Sequence, residues 1–226
     1  MKVLFIGNSH TFFNDMPHTF ARLWEAGMGE AISPVMLCHP GMGFDFHARE
    51  YFETRFNLLY GGYDYCILQQ KAHPFADTDE DYEAGKKLAL LAKKAGVTPV
   101  FALTWAEKAA PEHQDKMNRF HRRLCAETGA LLSPVGLVWQ EVLHTHPEID
   151  LYWPDGEHAN SYGDYLIACT HYRLLSGRSP LGLPPYGANF FDEENHAMFE
   201  DAEKTQMMLD ADFCRAIQEA VDTVLP

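Results

Sequence analysis

Short apolar runs alternate with longer stretches of helical periodicity along most of the chain. Strands are predicted near residues 2–6, 33–38, 64–69 and 98–104, with a weaker one near 131–134, because each run is brief and rich in β-branched or aromatic residues. Helices are expected to fill the intervals between these strands. The alternation predicts an α/β fold in which helices cover both faces of a parallel sheet.

Cap residues mark the starts of two predicted helices. Asp15 is expected to cap a helix that has Pro17 in its first turn. Thr78 or Asp77 is expected to cap a second helix over residues 79–95, which a glycine ends.

The composition changes after about residue 177. Residues 179–187 form a proline-rich connection, and residues 196–224 have the pattern of one or two amphipathic helices. We predict one structural domain with a core over residues 1–180 and a helical extension, residues 181–226, packed on it. A lid or the contact of a homodimer are alternatives for this extension.

Charge and composition narrow the classes of partner. The 226-residue chain is 46% apolar, which suffices for a substantial core, and its formal net charge is −14 at pH 7. A field of that sign disfavours nucleic acid, anionic membrane surfaces and strongly anionic substrates. The charge therefore argues against nucleic acid and anionic membranes as partners and, more weakly, against a strongly anionic substrate.

The start of the chain and its cysteines favour a cytoplasmic location. The apolar run at residues 3–6 is too short for a signal peptide, and no run approaches the roughly 18 residues of a membrane span. Five cysteines without a Cys-x-x-Cys pair favour reduced thiols. They are Cys38, Cys66, Cys125, Cys169 and Cys214.

Two short motifs far apart in the chain supply the groups of a nucleophilic triad. Gly-Asn-Ser-His-Thr at residues 7–11 follows the first predicted strand, and Asp-Gly-Glu-His occupies residues 155–158. Either motif alone is also a common turn. A serine becomes a strong nucleophile when an imidazole takes its proton and a carboxylate orients that imidazole. The candidates are Ser9, His158 and Asp155.

Other residues bear on this hypothesis. Glu157 is a competing carboxylate, but its adjacency to the histidine favours a solvent-facing position. A helix capped by Asn160 or Ser161 is expected to follow the second motif. Ligands of open parallel sheets bind beyond the carboxyl ends of the strands, where Ser9, Gly41 and Gln69 are all expected.

The two motifs resemble the first and last blocks of the SGNH hydrolases, the GDSL-like esterase superfamily. Those blocks are Gly-Asp/Asn-Ser and Asp-x-x-His, and here Asn8 stands where aspartate is more usual. The resemblance covers roughly residues 1–177. It implies an α/β fold of the flavodoxin-like type, a three-layer α/β/α sandwich with a five-stranded parallel sheet, and a Ser-His-Asp triad.

The resemblance also implies an oxyanion hole. Its donors would be the backbone N–H groups of Ser9 and Gly41, with Gly43 as second choice for the glycine. The family's third block, Gly-x-Asn-Asp, is missing, and its position after the third strand holds two glutamines. A glutamine amide has the same donors as asparagine, so Gln69 is expected to replace it, in preference to Gln70. Strand alternation places these two on opposite faces.

Four further residues are expected near the site. They are His10, Gln70, Trp105 and Trp153.

A metal or nucleotide cofactor is not expected. The closest histidine groupings are His144 with His146 and His39 with His47, and neither has the spacing of a known metal motif. No glycine-rich nucleotide-binding pattern occurs either.

The predicted function is a serine esterase that works through an acyl-enzyme without a cofactor. Its substrate is expected to be a small-molecule or saccharide ester, most plausibly an acetyl or other short acyl group on a carbohydrate. Lipid-ester or acyl-thioester hydrolysis by the same mechanism and a non-catalytic binding protein on the same fold are the alternatives.

Overall fold

The computed structural model describes residues 1–75, 77–188 and 206–226. The chain divides into two compact units. The first, here the sheet unit, comprises Met1–Thr11 and Ile32–Gly136, and the second, here the helical unit, comprises Phe12–Ala31 and Leu137–Pro226. The chain passes between these units near residues 11, 31 and 136. The domain boundary predicted near residue 180 stays a prediction.

Five parallel strands form the sheet unit's central element. They are β1 (Lys2–Gly7), β2 (Ser33–Cys38), β3 (Tyr65–Gln69), β4 (Thr98–Ala102) and β5 (Leu131–Ser133), in the order β2-β1-β3-β4-β5. All five predicted strands are confirmed, with ends shifted by two residues or fewer. The strand order is that of flavodoxin-like folds, in which the chain reverses its direction of growth between β1 and β3.

The strand β1 is buried on both of its faces. Val3, Leu4, Phe5 and Ile6 are each 0% exposed, although successive side chains of a strand point to opposite faces. A parallel strand covered on both sides is what helical layers above and below a sheet produce. The predicted three-layer α/β/α fold class is therefore confirmed.

Helices connect the strands of the sheet unit. They are α1 (Ser9–Phe12), α3 (Phe44–Arg49), α4 (Tyr51–Tyr60), α5 (Asp79–Lys94) and α6 (Gln114–Thr128). Helix α5 packs on β3 and β4 and also against α3 and α6. Of the two predicted caps for α5, Thr78 is used, because its hydroxyl accepts the Asp81 N–H at 3.1 Å.

The helical unit contains α2 (Met16–Met28), α7 (Val135–Thr145), α8 (Ser161–Ser176) and α9 (Ala211–Val224), with a small antiparallel pair of strands, β6 (Tyr186–Ala188) and β7 (Gln206–Met208). Helix α8 packs against both α2 and α9. The cap of α8 is Asn160, whose side chain accepts the N–H groups of Tyr162 and Gly163, while Ser161 donates to the Ala188 carbonyl instead.

Asp15 occupies the N-cap position of α2, with Pro17 in the first turn, as predicted. Its backbone is left-handed, with φ of 53°, which the sequence did not indicate. The C-terminal prediction was wrong in part: within residues 206–226, Ala211–Val224 is helical, but Gln206–Met208 pair as a strand with Tyr186–Ala188. Residues 196–205 of that pattern lie outside the described residues.

Two further features concern membrane-spanning helices and cysteines. Within the part of the chain that is described, no helix combines the length and the apolar character needed to cross a membrane. All five cysteines are free thiols, and Cys66, Cys169 and Cys214 are buried.

Candidate active site

A buried carboxamide binds the loop after β1 to the end of β3. Gln69 Oε1 accepts the Asn8 N–H at 3.0 Å and the Thr11 hydroxyl at 2.9 Å. Gly7 leaves room for this contact, because a Cβ there would lie 2.6 Å from both Gln69 Oε1 and Thr11 Oγ1. Ser9 thereby lies between two residues, Asn8 and Thr11, that Gln69 holds.

The other end of the Gln69 carboxamide is also in contact with protein. Its Nε2 donates to the Gln70 carbonyl, and the residue is only 3% exposed. Gln69 therefore has a structural role that the sequence did not reveal. Its role as an oxyanion donor stays a prediction.

The loop after β2 holds the two glycines considered as oxyanion donors. Gly41 has a φ of 71°, and the Met42 N–H closes the turn by donating to the His39 carbonyl at 3.1 Å. Such a turn needs positive φ at its third residue, which glycine supplies. Gly43 is required for space instead, because a Cβ there would lie 2.6 Å from Gln70 Oε1.

Asn8 ties the loops after β1 and β2 together. Its Nδ2 donates to the Met42 carbonyl at 2.8 Å, and its Oδ1 accepts the His10 N–H at 3.0 Å. Asn8 is 1% exposed, so these bonds are made away from solvent. An ionised aspartate at this position has no donor for that carbonyl, which gives a physical reason for asparagine here.

Gln70 does not line an accessible pocket, contrary to the prediction. It is 0% exposed, and its Oε1 accepts the N–H of Phe44 at 2.7 Å and of Lys71 at 3.0 Å. The first of these bonds satisfies a backbone donor at the start of α3, which its own helix cannot satisfy. Gln70 thus fixes the loop between β2 and α3 to the end of β3.

A chain of polar contacts begins at His10, next to Ser9. His10 Nε2 lies 2.9 Å from His73 Nδ1, and His73 Nε2 lies 3.1 Å from the Trp105 carbonyl. That carbonyl only accepts, so His73 carries its proton on Nε2 and, when neutral, accepts a hydrogen bond from His10. The Trp105 ring is 5.4 Å from the His10 ring. His73 therefore links the predicted pocket residues His10 and Trp105, although it was not itself predicted as a site residue.

In the helical unit, Asp155 and His158 form an imidazole–carboxylate pair. Asp155 Oδ2 lies 2.6 Å from His158 Nδ1, and Oδ1 accepts the N–H groups of Glu157 at 2.9 Å and His158 at 3.0 Å. The carboxylate at Nδ1 is thus that of Asp155, the one preferred from the sequence. With a proton on Nδ1, Nε2 of the neutral ring is the basic nitrogen.

The charge state of Asp155 follows from these contacts. Burial raises the pKa of the carboxyl, but the backbone N–H of Glu157 and the side chain and backbone of His158 outweigh it, so the pKa lies below its ordinary value. Asp155 is therefore ionised at neutral pH, as an orienting carboxylate must be.

The loop that carries this pair is closed on itself. Tyr152 and Ala159 form an isolated antiparallel bridge, and the Trp153 N–H donates to the His158 carbonyl at 2.8 Å. Gly156 provides the positive φ of 74° at the tip of the loop. The sequence spacing of the motif thus corresponds to one compact turn.

Aromatic rings surround the imidazole. The Phe13 ring stacks on that of His158 with centroids 4.5 Å apart and an interplanar angle of 22°. Trp153 meets Phe13 edge to face at 5.4 Å. Trp153, predicted in the pocket, therefore packs beside the ring that covers the His158 imidazole. Phe13 is one of the aromatic residues near Ser9 that could line the site, but nothing in the sequence indicated that its ring stacks on His158.

The predicted site residues are shared between the two units. Ser9, the candidate oxyanion donors and the His10 chain belong to the sheet unit, and the carboxylate–imidazole pair belongs to the helical unit. No group of three or more His, Cys, Asp or Glu side chains suited to a metal ion is found among the residues that are described.

Comparison with known proteins places the fold. No family model and no curated protein sequence matches the chain. Among solved structures, a DUF4886 family protein from Bacteroides uniformis is 18% identical with a TM-score of 0.73, over 99% of this chain and 94% of that one. The acetylxylan esterase Axe2 from Geobacillus stearothermophilus is 18% identical with a TM-score of 0.61, over 76% and 92%.

A lipase/acylhydrolase from Enterococcus faecalis is similar in the same way, at 15% identity and a TM-score of 0.60 over 78% of this chain and 96% of that one. Lipolytic proteins of the G-D-S-L family also share the fold. The chain therefore has an SGNH hydrolase-like fold. At these identities the likeness establishes the fold alone.

The structural role of Gln70 can be tested by substitution. Gln70→Ala leaves one buried and one partly buried N–H group without their acceptor, so we expect the free energy of unfolding to fall by about 2 kcal/mol. Denaturant unfolding measures this. The control is Asn57→Ala, which removes a hydrogen bond on the surface of α4 and should change stability by about 0.5 kcal/mol or less. Equal small changes in both variants would contradict the role of Gln70.

The contacts of Asp155 predict a pH-dependent contribution to stability. Because its folded pKa is depressed, the stabilisation is present above the unfolded pKa of about 3.9 and is lost as the pH falls through the folded pKa. With the side chain 41% exposed, we expect Asp155→Asn to cost about 1 kcal/mol or less at neutral pH. Denaturant unfolding of both proteins between neutral and acid pH should show this difference vanishing. A difference that grows toward acid pH would contradict the assignment.

Proposed function

We propose that the chain is a serine esterase in which Ser9 is the nucleophile, His158 the general base and Asp155 the carboxylate that orients the base. The observation that carries this proposal is the 2.6 Å contact between His158 Nδ1 and Asp155 Oδ2. It fixes the tautomer that presents Nε2 as a base. Support also comes from the position of Ser9 directly after β1. Structural neighbours with the same fold include proteins that are named as esterases.

The chemistry proceeds in two acyl-transfer steps. Nε2 of His158 takes the proton of the Ser9 hydroxyl while Oγ forms a bond to the ester carbonyl carbon. The tetrahedral intermediate collapses, and the imidazolium gives its proton to the departing alkoxide, which leaves as an alcohol. Water, deprotonated by the same imidazole, then attacks the acyl-enzyme, and the collapse of the second intermediate returns the proton to Ser9 and releases the acid.

The oxyanion of both intermediates needs hydrogen-bond donors that are in position before the reaction begins. We assign this role to the backbone N–H groups of Ser9 and Gly41, with Gly43 as the alternative glycine, and to the amide of Gln69. The first two belong to loops that Asn8 and Gln69 hold in the sheet unit. Gln69 already donates once to the Gln70 carbonyl, so its oxyanion role requires its second amide hydrogen.

The proposed substrate is a short acyl ester of a carbohydrate, most simply an acetyl group. Its support is the structural likeness to an acetylxylan esterase and the half-buried Trp153 ring beside Phe13. A lipid ester or an acyl thioester is open to the same chemistry. Acetylated xylo-oligosaccharides, p-nitrophenyl esters of increasing chain length and acyl thioesters, assayed side by side, separate these classes.

The triad assignment predicts a graded loss of activity. We expect Ser9→Ala and His158→Ala to lower kcat for p-nitrophenyl acetate by about 10⁴-fold or more, and Asp155→Asn by less. The loss follows from removing the nucleophile, the base and its orienting group in turn. Steady-state kinetics on purified variants gives the measurement.

The matched control is Glu157→Gln, which removes the adjacent carboxylate and should leave kcat close to that of the unmodified chain. A larger loss in Glu157→Gln than in Asp155→Asn would reassign the orienting group. Unchanged activity in Ser9→Ala would overturn the proposed nucleophile and favour a non-catalytic binding role with contaminating activity.

The oxyanion role of Gln69 is separable from its structural role. Gln69→Ala should lower kcat by about 10²–10³-fold with little change in KM, because an oxyanion donor acts mainly in the transition state. Thr11→Val removes one of the same structural bonds but no donor to substrate, so it should cost about 1 kcal/mol of stability and little kcat. Parallel kinetics and unfolding measurements decide. Similar small losses of kcat in both variants would leave the backbone donors as the whole oxyanion hole.

A further inference from the structure

A buried amide and a buried carboxyl lie directly behind the loop that carries His158. Asn14 is 0% exposed and Asp164, in the first turn of α8, is 2% exposed. Asn14 Nδ2 donates to Asp164 Oδ2 at 2.8 Å and to the carbonyl of Ala159 at 3.2 Å. Since Ala159 follows His158 in the chain, this one amide group reaches the backbone of the candidate base.

The backbone at Asn14 is held in an uncommon conformation. Asn14 and Asp15 are consecutive non-glycine residues with positive φ, 47° and 53°. Left-handed conformations persist at such residues only where surrounding contacts hold them. The side-chain bonds of Asn14 provide that restraint. The same turn carries Phe13, whose ring stacks on His158, so this turn contacts both the imidazole and the backbone of the residue that follows it.

The charge of Asp164 suits a buried pair. Burial raises the pKa of its carboxyl well above the ordinary value, the hydrogen bond from Asn14 offsets part of this, and the nearby Asp15 raises it further. Burial therefore favours the uncharged form of this carboxyl. Asn14 Oδ1 and Asp164 Oδ1 are buried and accept no hydrogen bond from the residues that are described. A protonated carboxyl supplies an O–H donor among these acceptors.

We propose that Asn14 and Asp164 are positioning residues that fix the orientation of the His158 imidazole, through the hydrogen bond to the Ala159 carbonyl and through the turn that carries the Phe13 ring. The proposal rests on the proposed function in that His158 is taken as the general base. Neither residue touches the reacting atoms. The pair acts by limiting the angles that the imidazole adopts, on which proton transfer from the nucleophile depends.

Asn14→Gly is the sharpest variant for this test. Glycine adopts positive φ without a steric cost, so the substitution removes the amide while leaving the backbone conformation accessible. We expect kcat for p-nitrophenyl acetate to fall by about 10–100-fold with KM nearly unchanged, because a small misplacement of a catalytic group is costly. Asp164→Asn, which keeps an uncharged donor and acceptor, should retain most of kcat. Asp164→Ala should resemble Asn14→Gly.

A spectroscopic readout separates positioning from general destabilisation. The ring protons of His158, assigned by their loss in His158→Gln, should shift or broaden in the NMR spectrum of Asn14→Gly and of Asp164→Ala. The control is Thr170→Ala, which removes a buried hydrogen bond to the Leu166 carbonyl in the same helix, α8. It should lower stability without changing either the His158 signals or kcat.

The outcomes also distinguish this inference from the esterase proposal. If the chain has no esterase activity, the proposed function fails, while the His158 signals still report on positioning. If activity depends on Ser9 but the His158 signals and kcat in Asn14→Gly match those of Thr170→Ala, the positioning role is overturned. Equal losses in Asp164→Asn and Asp164→Ala would contradict the uncharged pair.

Discussion

The carboxamide of Gln69 is the contact on which the geometry around Ser9 depends. It accepts two hydrogen bonds from the loop after β1 and donates one to the next residue of its own chain, all within the buried end of β3. A buried carboxamide without its hydrogen-bond partners would lower the stability of the fold, so each partner holds the others in place. Gly7 is part of the same constraint, because any Cβ would displace the carboxamide. The backbone around Ser9, the proposed nucleophile, is thereby tied to the end of β3.

His158, the proposed base, is positioned by contacts of a different kind. Asp155 and His158 lie three residues apart on a loop whose own backbone bonds close it, so the carboxylate meets the imidazole without help from distant elements. The Phe13 ring stacks on this imidazole, and the Asn14 amide binds the carbonyl of the next residue, Ala159. The carboxylate–imidazole contact thus comes from a short motif, while the contacts around it come from residues distant in the chain.

Periodicity sufficed for the sheet, because apolar parallel strands such as β1 are short and distinct from amphipathic helices. The motif spacing likewise sufficed for the Asp155–His158 pair, whose contact is local. Long-range contacts were beyond reach from one sequence. The structural roles of Gln69 and Gln70 depend on which N–H groups the fold brings to them, and the cap pattern at Asp15 gave no sign of its positive φ.

Covalent trapping of the nucleophile tests the central claim most directly. A fluorophosphonate reacts with a serine only when an adjacent base activates it, and the adduct is stable enough for peptide mass spectrometry. The account predicts a single adduct on the peptide that contains Ser9, absent in Ser9→Ala and strongly reduced in His158→Ala. An adduct on another residue, or labelling of Ser9 that does not depend on His158, would contradict it.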